Sequence, residues 1–291
     1  MMQTLRVGFF RKFYRFGSWL SWRGKTPAVV HSVRQLPTEA GNLGSRVYAQ
    51  ADGADKPLIV YFHGGGWVIG DLQTHHPFCQ AFSHHTGCTL ISIDYRLAPE
   101  HTFPAAHNDC LAAAKWIAEH INELGPANGK MVLAGDSAGA NLAVCSALSL
   151  DPAVASKVAG EILIYPVTDH YSVPYASYEE CATGQALTRD VMHWFWDTYL
   201  GATAPESDEV ALARPIHASN LSSLPPTLLI TAERDPLRDE GRQFAQKCED
   251  AGVTVDYKHY EDVEHGFACS EGPTPQFQAF IDQTRDWLRT L

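Results

Sequence analysis

The sequence predicts an α/β fold, a mainly parallel sheet covered by helices on both faces. Three observations predict it: short continuous apolar runs recur, segments of helical pattern separate them, and the chemically suggestive motifs fall at the ends of the runs. Five runs carry the sheet: Leu58 to Phe62, Thr89 to Ile93, Met131 to Ala134, Ile162 to Tyr165 and Thr227 to Ile230. Each is bounded by turn residues and has no polar alternation, as a strand buried on both faces requires. The stretches around 28 to 36 and 43 to 50 read as two leading antiparallel strands. Helical patterns occupy Asn108 to His120, Ala138 to Leu150, Glu240 to Ala251 (closed by Gly252) and Pro275 to Leu291. In such sheets functional groups gather at the carboxyl ends of the strands.

Two segments fall outside the alternation and are expected to form a cap on one α/β unit spanning residues 1–291. They are residues 1 to about 25 and an aromatic-rich insertion from about 169 to 213. Within the insertion, Thr188 is a suitable N-cap for a helix carrying Met192, His193, Trp194, Phe195, Trp196, Tyr199 and Leu200. In the first segment Leu5, Phe9, Phe13, Phe16 and Leu20 share one stripe of a helical wheel, with Arg11, Lys12 and Arg15 opposite. Such a helix serves as a cap over the site, as a membrane-surface contact or as a transit sequence; the cap is the expected role.

Composition narrows the classes of function. Hydrophobic residues make up 45% and charged residues 19%, which is globular usage. The net charge is −11, and the seven bases of the first 36 residues meet no acid, so the remainder carries about −18. A body that acidic repels phosphate backbones, and no nucleic-acid partner is expected. Seven scattered cysteines with no C-x-x-C pair suit reduced thiols and a cytoplasmic location. No run approaches the length of a membrane span, and no stable membrane insertion is expected.

Gly135-Asp136-Ser137-Ala138-Gly139 lies between the Met131 run and an Ala-rich helix, the setting of a nucleophile elbow. A sharp turn there lifts the Ser137 hydroxyl above the sheet at a helix N-terminus. A hydroxyl attacks an ester only when a base takes its proton and a third group orients that base. His265, on the loop before the last helix, is the expected base; His259 falls inside a strand pattern. Asp235, beyond the Thr227 run, is the expected acid. Asp239 and Glu240 fall at a helix start, where acids stabilise the helix dipole. The glycine loop His63-Gly64-Gly65-Gly66-Trp67 offers amides to a developing oxyanion, together with the N–H of Ala138. It has neither the G-K-[ST] ending of a phosphate loop nor a helix-opening G-x-G-x-x-G. His63 is expected to hold the loop by hydrogen bonding. The pairs His75-His76 and His84-His85 do not share a helix face, and neither a metal nor another cofactor is expected.

These motifs resemble those of the hormone-sensitive-lipase-like esterases of the α/β-hydrolase superfamily, the bacterial branch that includes acetyl esterases. The likeness also takes in Asp94-Tyr95-Arg96-Leu97-Ala98-Pro99-Glu100, Phe103-Pro104-Ala105-Ala106, Asp235 through Gly241 and His265-Gly266-Phe267. It implies an eight-stranded hydrolase sheet under a helical cap, a Ser137–His265–Asp235 triad and oxyanion donors at Gly65, Gly66 and Ala138. It also implies a small ester substrate of short acyl chain, and a homodimer. Trp67, Trp194 and Trp196 stand as candidate walls of the acyl site, or as plain core. An amidase or carbamate hydrolase would use the same triad. A binding receptor of the same fold would have lost the histidine that this chain keeps.

Overall fold

The strands of the computed structural model are β1 (His31–Thr38), β2 (Gly41–Tyr48), β3 (Leu58–Phe62), β4 (Leu90–Asp94), β5 (Met131–Asp136), β6 (Val158–Ile164), β7 (Thr227–Arg234) and β8 (Val255–Glu264). The structure describes residues 2–205, 207 and 210–291, with side chains from residue 7 onward. The strands form one sheet in the order β1-β2-β4-β3-β5-β6-β7-β8. The β1–β2 and β2–β4 pairings are antiparallel and the other five are parallel. The five apolar runs are the five central strands, and β1 and β2 lie within three residues of their expected limits.

Period-two alternation divides the core into two layers. Val60, Phe62, Leu133, Leu163 and Leu229 join one buried cluster, together with Cys110 of α3 (Ala105–His120), Leu142 of α4 (Ala138–Ser149) and Phe244 of α8 (Arg238–Asp250). Ile59, Tyr61, Val132, Ile162 and Leu228 point the other way. They pack with Phe78 and Phe82 of α2 (His76–Thr86) and with Phe277, Phe280 and Ile281 of α9 (Pro275–Leu288). The sheet is thereby covered on both sides, which is why its central strands tolerate no polar alternation. All seven cysteines are buried in these layers and their flanks as free thiols.

The segment between β6 and β7 holds α6 (Ala176–Glu180) and α7 (Arg189–Leu200). Thr188 caps α7 by accepting the Val191 N–H, and Gly201 closes it with φ 61°. The short α5 (Pro152–Ala155) precedes β6. Glu206, Asp208 and Glu209, within the expected insertion, lie outside the described residues.

The helix α1 (Met2–Trp22) forms as expected, and its apolar stripe faces outward. Phe9, Phe13, Phe16 and Leu20 are 57–68% exposed; the side chain of Leu5 lies outside the described residues. The docked face is the more polar one. Arg11 donates to the carbonyls of Val68 and Ala98 at 2.9 and 3.0 Å and forms a fork with Glu100. Arg15 pairs with Asp71, and the Ser18 hydroxyl bonds the Thr74 carbonyl. Val7 and Trp22 complete the contact, the indole N–H donating to the Cys269 carbonyl at 2.9 Å. The surface beneath α1 presents carboxylates and carbonyls, and charged donors satisfy these better than aromatic rings do.

Candidate active site

Four strand ends converge. Ser137 follows β5 directly, with φ 56° and ψ −121°, and opens α4. A non-glycine residue held at positive φ is strained, and such strain concentrates at functional turns. The turn closes only because its neighbours are small: a Cβ on Gly139 would lie 2.0 Å from the Phe62 carbonyl oxygen. Ser137 sits where the first amides of α4 have no partner within the helix, a position that favours negative charge.

His265 follows β8, and Asp235 follows β7. The His265 Nε2 lies 3.0 Å from the Ser137 Oγ, and its Nδ1 lies 2.6 Å from Asp235 Oδ2. Asp235 is fully buried and its second oxygen accepts the Leu237 N–H at 2.9 Å, so the carboxylate cannot rotate away from the ring. The structure thus brings together Ser137, His265 and Asp235, residues far apart in the chain.

The rivals lie elsewhere. His259 of β8 pairs with Glu233 of β7. Asp239 accepts the Ser177 N–H and pairs with Arg238. Glu240 accepts the Thr168 and Asp169 N–H groups at 2.7 and 3.2 Å, fastening the start of the insertion to α8. Burial holds the Glu240 carboxyl well above the usual range.

The glycine loop follows β3. Gly65 and Gly66 line the cavity beside Ser137, and Ala138 supplies the first amide of α4. Gly66 has φ 57°, and a Cβ there would fall 2.1 Å from the Phe195 ring, so the loop and α7 meet with no room for a side chain. His63 keeps to the loop: its Nδ1 is 2.8 Å from the Gly64 carbonyl, and its ring stacks on Tyr95 at 4.3 Å. Burial, then the neighbouring His75, push His63 down to about 4, so it is neutral near pH 7. The Tyr95 hydroxyl donates to the His63 carbonyl at 2.5 Å, and Arg96 forks onto buried Asp109, consistent with an architectural Tyr95 to Pro104 segment. The His76 ring stacks on Tyr48, and His84 and His85 end α2.

Sequence reasoning missed Asp136. Its Oδ1 accepts the Gly64 N–H at 2.8 Å and the Tyr61 hydroxyl at 2.5 Å, with His75 Nε2 at 3.4 Å. Burial alone would raise its carboxyl; His75, the Tyr61 hydroxyl and the Gly64 amide outweigh it and hold the carboxyl below the usual range. The only signal was an acid at the x of G-x-S-x-G, where the turn itself does not demand one.

Above these groups lies a cavity of about 1140 Å³. Its floor includes Ser137 and His265, and its walls come from Phe10, Phe13 and Tyr14 of α1 and Leu187, Trp194 and Phe195 of the insertion. Of the three candidate tryptophans, only Trp194 lines it. Trp67 and Trp196 are fully buried, 4.7 Å apart, with Trp67 stacked on Tyr199 at 4.3 Å. They are core, a correction with a simple cause: residues 194 and 196 are about 200° apart on a helix, so one faces the cavity and the other the sheet.

Known proteins resemble this chain in sequence and in fold. A family model described as alpha/beta hydrolase fold matches residues 59–269. The carboxylic ester hydrolase LipN of Mycobacterium tuberculosis is 38% identical over 80% of this chain, and the match spans 62% of LipN's own length. The ethyl acetate hydrolase of Pseudomonas putida is 31% identical over 88% of the chain and 81% of its own. Among solved structures, the esterase of Pyrobaculum calidifontis superposes with a TM-score of 0.90 at 37% identity, covering 98% of this chain and 91% of that one. With the family model spanning most of the chain, and with glycine loop, elbow, acid and histidine each at a strand end, the chain belongs to the α/β-hydrolase family, in its hormone-sensitive-lipase-like branch.

Proposed function

We propose that the chain is a carboxylesterase that hydrolyses short-chain acyl esters through Ser137, His265 and Asp235. The observation that carries the proposal is the continuous hydrogen-bonded line from Ser137 Oγ through the His265 ring to Asp235. His265 takes the hydroxyl proton as Ser137 attacks the ester carbonyl, and Asp235 stabilises the imidazolium that forms. The oxyanion rests on the amides of Gly65, Gly66 and Ala138. His265 then gives its proton to the departing alcohol, and water, deprotonated in turn by His265, releases the acid. The similarity to proteins named carboxylic ester hydrolase and ethyl acetate hydrolase supports an ester over an amide.

Phe195, which meets Gly66, and Trp194, 5.0 Å from it ring to ring, support the short acyl chain as bulky walls of the cavity. The remaining apolar volume under Phe10 and Phe13 accommodates the alcohol portion. The test is hydrolysis of p-nitrophenyl esters from acetate to palmitate by wild type, Ser137→Ala and Asp235→Asn. Turnover is expected on short chains, none with Ser137→Ala, and a loss on the order of 10⁴-fold with Asp235→Asn. Undiminished turnover by Ser137→Ala would refute the nucleophile, and a preference for palmitate would refute the short acyl site.

A further inference from the structure

The outward stripe of α1 remains unexplained by ester hydrolysis. Phe9, Phe13, Phe16 and Leu20 are all more than half exposed. Arg11, Arg15 and Ser18 pin the helix in this orientation through Glu100, Asp71 and three backbone carbonyls. We propose that this stripe is a lipid-facing surface, which seats the mouth of the cavity on an anionic membrane interface.

Two further features select lipid as the occupant. The first is charge. Lys12, which lies about 60° from the centre of the stripe rather than opposite it, is exposed, as is Arg23 just past the end of α1, with its guanidinium 5.0 Å above the Trp19 ring. No acid occurs before Glu39, while the rest of the chain carries about −18. An anionic surface therefore attracts this helix and repels the body behind it, which fixes the orientation of approach. A second copy docking stripe to stripe would bring like cations together in an isologous contact, which disfavours it.

The second feature is continuity. Phe13 belongs to the stripe and also lines the cavity, and Phe10, on the cavity side of it, is half exposed. The apolar surface thus runs from the outside of the helix into the site. An interfacial helix buries its apolar face to a depth of about 5–10 Å, which is enough to cover these rings.

Vesicle flotation tests the proposal without any reference to hydrolysis, so it stands or falls apart from the esterase reading. The probes are phosphatidylcholine vesicles with and without about a third phosphatidylserine, at low and high salt. Wild type is expected to float with the serine-lipid vesicles and to release in salt. Phe9→Ser/Phe16→Ser/Leu20→Ser should reduce the bound fraction by at least about tenfold, since each exposed apolar side chain adds to partitioning. None of these three lines the cavity, so turnover of a soluble acetate ester serves as the control for folding. Lys12→Glu/Arg23→Glu, which leaves the apolar residues in place, should lose binding to serine-lipid vesicles as well. Wild type that stays unbound, or a triple serine variant that floats as well as wild type, overturns the proposal. So does a lipid-free dimer that the triple variant converts to monomer, because the stripe then belongs to a second copy.

Discussion

Asp136 Oδ1 accepts the Gly64 N–H at 2.8 Å, so the residue just before Ser137 holds the first glycine of the facing loop. A direct hydrogen bond thereby joins the elbow to the glycine loop. A displacement of the loop would carry its amides away from the proposed oxyanion position without breaking the Ser137–His265 contact.

Asp136→Asn keeps the shape but removes the charge and one acceptor from this junction. It is expected to lower kcat by about 10- to 100-fold with little change in KM, because oxyanion stabilisation acts mainly in the transition state. Steady-state kinetics on a short ester separate the two parameters; a rise in KM alone would assign Asp136 to substrate binding instead.

Two neighbouring tryptophans should respond oppositely to truncation. Trp194→Ala enlarges the cavity and is expected to shift preference toward longer acyl chains with only a modest change in Tm. Trp196→Ala empties a fully buried site and should cost about 3–5 kcal/mol, read from denaturant unfolding. A selectivity change confined to Trp196→Ala would reverse this assignment.

Glu161 gives the fold a pH dependence unrelated to catalysis. It is fully buried on β6, and burial, only partly offset by Thr227, pushes it up to about 8. Its carboxyl is thus protonated in the folded chain at pH values where the unfolded chain has lost the proton. The stabilisation this provides is complete below about pH 4.5 and is lost as pH rises toward 8. Glu161→Gln is expected to abolish that loss, raising Tm relative to wild type at pH 8 by on the order of 5 °C but not at pH 4.5. Parallel melting curves across that window would assign no such role to the carboxyl.

The strands were legible because a buried parallel sheet leaves continuous apolar runs, and the active-site candidates because elbow, loop, acid and histidine follow those runs in order. The limits of β1 and β2 were less legible: their exposed residues carry little pattern. A helical wheel shows that α1 has two faces but not which one docks. That depends on Glu100 and Asp71, distant acids whose position near the mouth emerges only from the fold. Trp67 and Trp196 were ambiguous for a related reason, since core and cavity wall place the same demand on composition. Asp136 went unnoticed because its partner, Gly64, lies 72 residues away.

The burial of every cysteine has a practical side. Thiolate is the reactive form, and burial raises all seven thiols above their ordinary range. To a maleimide the native chain therefore behaves as though it contained no cysteine. A single thiol introduced on the outer face of α1 would be the lone point of attachment, and a fluorophore placed there would follow that helix in an otherwise unlabelled molecule.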